Sequence, residues 1–221
     1  MWQVEVNTTR ATTQRSHLSL TETTVLDKLI TTFRSPDPEA DQYPSHRGIY
    51  FEELACQIFA QGSTGLDFLL EELTQADFVR LRGILAALSR AALPSSQLCE
   101  LFRQYLKDQR VLIVAEVIDG LTHLKDQEAA PQVLPFLSHS SPYLRGSVLR
   151  YLSRLYGVQA KDTLIKFLGD PHYIVRENAI DELADLGITE AIPQLQLLLQ
   201  DASADVRQAA ETAIEELQEM A

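Results

Sequence analysis

The feature that most limits how this chain can fold is the return of one apolar frame every 31 residues. Arg176, Ala179, Leu183 and Leu186 stand at offsets 0, +3, +7 and +10; Arg207, Ala210, Ile214 and Leu217 repeat them 31 residues later, and Arg145, Val148, Leu152 and Leu155 precede them by 31. That spacing gathers the apolar positions on one stripe of an α-helix. A second series runs with the first. The last strong apolar residue of a preceding helix falls at Leu73, Leu106, Leu137, Leu168 and Leu199, each eight residues before the anchors Leu81, Val114, Arg145, Arg176 and Arg207. Each period thus holds two helices, and neither can hide its dry face alone, so successive pairs must stack.

The links agree with this reading. Short polar stretches such as HSSPY, GDPHY and QDASAD separate the helices of a pair, and Ser, Asp and Pro there end one helix and start the next. Leu186-Gly187 and Tyr156-Gly157 place a glycine where a helix closes through the left-handed conformation. The expected fold is all-α: a superhelix, or solenoid, of about six antiparallel helix pairs. Residues 1–17 read as an extended or poorly ordered tail in which Trp2, Val4 and Val6 alternate, and residues 18–221 as a single solenoid domain. Within it, residues 18–62 form an atypical first pair with an enlarged, proline-bearing loop over 34–48, and residues 63–221 form five regular pairs. Thr21 or Ser19 is the expected cap of the first helix, which stops at Ser35-Pro36. Ile49 to Ala60 is the second helix. The last, Val206 to Met220, turns Glu211, Glu215, Glu216 and Glu219 outward, as a terminal unit must to stay wet.

Composition sets limits on function. Net charge is −12, which argues against a nucleic-acid backbone as ligand. The charge is also segregated: residues 80–169 carry 12 basic and 7 acidic side chains, whereas residues 170–221 carry 2 and 12. No run of about 18 apolar residues suggests a membrane span, and the N-terminus lacks the apolar core of a secretory signal, so a soluble, cytoplasmic protein is expected. Cys56 and Cys99 are too few for a disulfide framework or a zinc site, and are expected reduced and buried. Gly62-Ser63-Thr64-Gly65 lacks the lysine and strand of a phosphate-binding loop, and no Ser/His/Asp set stands out. Neither a catalytic residue, a metal site nor a cofactor is expected.

The strings DPHYIVRENAIDELADLG and DASADVRQAAETAIEEL resemble HEAT repeats, specifically the short HEAT-like repeats of phycobilisome lyase proteins. Asp170, Pro171, Val175, Arg176, Ala179, Leu186 and Gly187 match that pattern; Asp201, Val206, Arg207 and Ala210 match most of it; Pro142, Arg145 and Gly157 match it more loosely. The resemblance is strong over residues 131–221 and only periodic before them. It implies that Arg145, Asp170, Arg176, Asp201 and Arg207 form a structural ladder between units. A metal-dependent hydroxylase of similar architecture needs repeated His-Glu pairs, but none of His17, His46, His123, His139 and His172 is followed by Glu. A helical-repeat DNA glycosylase needs a basic cleft, which the acidic last third opposes.

In such a stack the second helices line the inner, concave face. Offsets +1, +2, +5, +6 and +9 from each anchor are expected to point away from the core, giving Arg82 and Arg90, then Glu116 and Asp119, then Arg150, Tyr151 and Arg154, then Glu177, Asn178, Asp181, Glu182 and Asp185, with Glu211 and Glu216 last. Arg150, Tyr151 and Arg154 are residue types that anchor interfaces. The acidic run from Glu177 to Asp185 suits a basic segment of a protein partner. Two readings stay open: a non-enzymatic scaffold or adaptor that grips a protein on this face, and, implied by the resemblance alone, a phycobilin lyase or lyase-like chaperone subunit acting on phycobiliproteins.

Overall fold

The computed structural model describes residues 25–35, 47–90 and 96–220, and every regular element among them is helical. The expectations for the N-terminal tail, for the caps at Ser19 and Thr21 and for most of the loop 34–48 fall outside the described residues. Two compact units, Met1–Ala91 and Ala92–Ala221, divide the chain within the span read above as one domain.

In the first unit, α1 runs through residues 25–34, followed by α2 (Arg47–Phe59), α3 (Ser63–Glu72) and α4 (Phe78–Arg90). Helix α2 begins two residues before the expected Ile49, so Arg47 and Gly48 belong to its first turn rather than to the loop. The core is aromatic. Phe33 meets Phe51 and Phe68 edge to face at 5.5 and 6.0 Å, the arrangement that ring quadrupoles favour. Leu54, Ile58, Leu69, Ile84 and Leu88 fill in around them. Helices α2 and α4 approach so closely at Gly83 that a Cβ there would stand 2.7 Å from the Phe51 carbonyl carbon. Arg80 ties α4 to the end of α1: its Nε donates to the Phe33 carbonyl at 2.9 Å and its Nη2 to that of Arg34 at 3.0 Å. A guanidinium thereby meets carbonyls that a helix end leaves without partners.

The second unit holds four pairs: α5 (Ser96–Tyr105) with α6 (Val111–His123), α7 (Ala130–Val133) with α8 (Pro142–Tyr156), α9 (Lys161–Phe167) with α10 (Tyr173–Asp185), and α11 (Ile192–Leu198) with α12 (Ala204–Glu219). With the two in the first unit these make six pairs among the described residues, the number expected. From α7 onward the first helices are short and flanked by 3-10 turns, Gln127–Ala129, Leu134–Ser138, Gly157–Ala160 and Thr189–Ala191. Pro135 explains the break after α7, since it has no N–H for an α-helical bond. The second helices are longer and pack in sequence, α6 on α8, α8 on α10, and α10 on α12.

Between α8 and the C-terminus the seam is continuous. Leu149, Leu164, Leu168, Val175, Ala179, Leu183, Leu195, Ala210 and Leu217 belong to one buried cluster, with Leu137, Leu152 and Leu199 packed on its edge. Of these, Leu137, Leu152, Leu168, Ala179, Leu183, Leu199, Ala210 and Leu217 are residues of the 31-residue frame. Burying each Leu or Val removes side-chain area from water worth about 1.5–3 kcal/mol. Within α12, Glu211, Glu215, Glu216 and Glu219 are exposed.

Positive φ falls at Gly62 (84°), Gly157 (56°), Gly187 (66°) and, after α6, at Lys125 (56°); Gly157, with ψ −133°, closes α8 outside the left-handed helical region expected of it. The lysine takes a conformation that its Cβ disfavours by about 1 kcal/mol.

Candidate functional site

The residues expected to tie the repeats together build a series of arginine clamps. Arg145 donates from Nε and Nη2 to both carboxylate oxygens of Asp170, at 2.8 and 2.7 Å, and from Nη1 to the carbonyls of His139 and Ser140 at 2.8 and 3.0 Å. Arg176 repeats this one unit later, donating to Asp201 at 2.8 and 2.6 Å and to the Asp170 carbonyl at 2.9 Å. Arg207 donates to its own loop, at the carbonyls of Asp201 and Ala202. Each arginine therefore closes the loop before its helix, and Arg145 and Arg176 also hold the loop of the next unit. The Arg176 guanidinium beside Asp201 holds that carboxyl below its usual range. The bidentate geometry is the strong form of the contact.

Sequence reading missed three partners in this series. Arg103 on α5 clamps Asp126 at 2.7 and 2.5 Å, an earlier rung outside the matched pattern. His139 and His172 serve as acceptors, their Nδ1 atoms receiving the backbone N–H of Ser141 at 3.0 Å and of Ile174 at 3.3 Å, so His172 caps α10. A histidine in a loop carries no mark that distinguishes a cap from a bystander.

The face of the second helices departs from expectation at two residues. Tyr151 is fully buried, and its hydroxyl donates to the Asp126 carbonyl at 2.6 Å. Burial pushes its hydroxyl pKa up. Glu182 is buried as well. Both lie at offset +6, roughly a quarter-turn from the core stripe, and a helix flanked on both sides turns that quarter against a neighbouring repeat. Offsets +5 and +9 lie roughly opposite the core, and Asp181, Arg154 and Asp185 there are exposed. Cys56 and Cys99, expected buried, are half-buried free thiols, and desolvation raises the pKa of both.

The exposed charges then sort into two groups. Arg150 donates to Asp119 on α6 at 3.3 and 3.2 Å and to the Asn178 side-chain oxygen on α10 at 2.5 Å, while Asn178 donates back to the Ile174 carbonyl at 2.6 Å. Arg154 donates to Asp185 on α10 at 2.7 Å. These arginines staple α6, α8 and α10. In the first unit Arg90 pairs with Glu52.

Between α10 and α12 lie carboxylates that have no cationic partner among the described residues, Glu177, Asp181, Asp205 and Glu216. A groove of about 410 Å³ between α10 and α12 is lined by Glu177, Asp181, Asp185, Asp205 and Glu216, with Gln208 and Thr212 among its neutral residues. Partial desolvation at the groove wall, and then the carboxylates of Glu177, Glu182, Asp185 and Glu216, push the exposed Asp181 up to about 6. A larger groove of about 740 Å³ borders α5, but the charges at its floor compensate one another, Arg103 pairing with both Asp126 and Glu128. Among the described residues no group of three or more His, Cys, Asp or Glu is arranged to hold a metal ion, and no helix is long and apolar enough to cross a membrane.

Comparison with known proteins agrees with this architecture. No curated protein sequence matches the chain. Among solved structures, the complex of CpcE and CpcF of phycocyanin lyase from a Nostoc species matches with a TM-score of 0.52 at 22% identity, covering 69% of this chain and 65% of that one. This chain thus spans about 65% of the length of that lyase chain. An engineered protein matches with a TM-score of 0.53 at 17% identity, covering 88% of this chain and 96% of its own. A designed armadillo repeat protein in complex with the peptide (KR)4 matches with 0.55 at 16%, covering 87% and 99%. At these identities the likeness is one of fold, that of helical-repeat proteins. The sequence itself matches a family model described as HEAT repeats over residues 130–215.

Proposed function

We propose that this chain is a protein-binding scaffold that docks a basic segment of a partner in the groove between α10 and α12. The observation that carries this reading is the row of carboxylates Glu177, Asp181, Asp205 and Glu216, with which no Lys or Arg among the described residues forms an ion pair. Leaving them without cations raises Asp181, and a partner's lysine or arginine relieves that repulsion. Glu177, Asp181 and Asp185 stand four residues apart on α10, a step of about 6 Å along the axis. Alternate side chains of an extended segment repeat at about 6.6 Å, so every second residue of such a segment is the one to carry the charge. The likeness to a designed repeat protein in complex with a Lys-Arg peptide supports the choice of ligand chemistry through the fold alone.

Fluorescence anisotropy with a labelled alternating Lys-Arg octapeptide tests the reading. The expected outcome is binding that weakens steeply with salt and drops about tenfold in an Asp181→Asn, Glu216→Gln double variant, since each exposed charge pair contributes about 0.2–1 kcal/mol. Equal binding by variant and wild type refutes it. A second reading, a phycobilin lyase or lyase-like subunit, draws on the repeat-family resemblance and the likeness to the phycocyanin lyase complex. Bilin transfer to a phycobiliprotein subunit above background would favour it.

A further inference from the structure

Arg154 on α8 reaches a carboxylate that lines this groove. Its side chain is 58% exposed, and its Nη2 lies 2.7 Å from Oδ2 of Asp185, itself 53% exposed. On the other side Nε stands 3.9 Å from Oε2 of Glu182, an oxygen that is buried and accepts no hydrogen bond. The carboxylate it holds by its shorter contact is one that lines the groove. The other groove carboxylates, Glu177, Asp181, Asp205 and Glu216, have no such partner among the described residues.

We propose that Arg154 is a built-in competitor for the docking groove, holding Asp185 against the incoming cation and so setting how strongly a basic segment must bind to enter. The inference rests on the reading of the groove as a dock for such a segment. An exposed ion pair between two mobile side chains is weak and readily exchanged. A partner cation that reaches Asp185 must share that carboxylate with Arg154 or displace it, and it meets like charge either way. Weakly basic segments are turned away, while a segment with several cations spreads the loss over the other carboxylates. Arg154, whose residue type and exposure suggest an interface anchor, therefore opposes docking instead of supporting it.

The experiment is the same octapeptide titration at about 0.15 M salt, where charges more than about 8 Å apart are largely screened. It compares wild type, Arg154→Ala, Asp185→Asn, the double variant, and Lys166→Ala on α9 as a control for the change in net charge. Arg154→Ala is expected to tighten binding about two- to fivefold, Lys166→Ala to leave it unchanged, and Arg154→Ala to bring no gain where Asp185 is already Asn. Unchanged or weaker binding by Arg154→Ala, with wild type still binding, overturns the competitor and leaves the dock standing. Equal gains in Arg154→Ala and Lys166→Ala also overturn it, because the effect is then one of net charge. Failure of both wild type and Arg154→Ala to bind overturns the dock itself, and the competitor with it.

Discussion

Replacing Asp170 by Ala removes the carboxylate that holds two repeats together. The side chains of Asp170 and Arg145 are 4% and 10% exposed, so the guanidinium left behind is buried without its counter-ion. Breaking a buried pair from one side costs about 3–5 kcal/mol. Two details set where in that range this pair falls. Arg145 keeps its contacts with the carbonyls of His139 and Ser140, which lowers the cost, while the backbone N–H of His172 loses its acceptor, Asp170 Oδ1 at 2.8 Å, which raises it. With these opposed, a loss of about 3 kcal/mol is expected. Urea unfolding followed by circular dichroism measures it as a lower midpoint with a similar slope. An Arg145→Met, Asp170→Ala double variant recovers much of the loss, because no buried charge then lacks a partner. A loss below about 1 kcal/mol for Asp170→Ala alone would refute the claim that the arginine clamps hold successive repeats together.

Three further outcomes follow from the same contacts. Asp181 is raised from 3.8 to about 6 in the folded protein, so the folded state binds its proton more tightly than the unfolded chain does, and the ionised carboxylate opposes folding above pH 6. Asp181→Asn is therefore expected to raise the unfolding midpoint at pH 7, by about 1 kcal/mol at most after solvent screening, with the gain shrinking towards pH 4 in a urea titration run at both pH values. Tyr151→Phe strips the Asp126 carbonyl of a buried donor and is expected to lower stability by about 1–2 kcal/mol while leaving peptide affinity unchanged, as measured by unfolding and anisotropy in parallel. Lys125→Gly relieves a left-handed closure and is expected to raise stability by about 0.5–1 kcal/mol in thermal or urea unfolding, whereas a loss would mean that the lysine side chain makes contacts outweighing its backbone strain.

The 31-residue frame made the helix pairs, their number and the residues of the seam legible, because stacking alone gives Leu168, Ala179, Leu183 and Ala210 a reason to recur. The pairing of Arg145 with Asp170 was legible only through the resemblance, since nothing in a sequence says that residues 25 apart face each other. The surface was harder to read. One helix taken alone turns half its circumference to water, but a helix inside a stack loses a further quarter to the neighbouring repeat, which is where Tyr151 and Glu182 went. The groove was the least legible feature. Glu177, Asp181 and Asp185 stood out as an acidic run on one helix, yet Asp205 and Glu216 join them only because α12 lies beside α10.

The central claim, that a basic segment docks between α10 and α12, is tested most directly by amide chemical-shift mapping of the whole chain during titration with the alternating Lys-Arg peptide. The account predicts that the shifts concentrate at Glu177, Asp181 and Asp185 and at Asp205, Gln208, Thr212 and Glu216, and that they fade as salt rises. Shifts centred instead on the α5 groove around Arg103 and Glu128, or spread evenly over exposed carboxylates such as Glu211, Glu215 and Glu219, would contradict it.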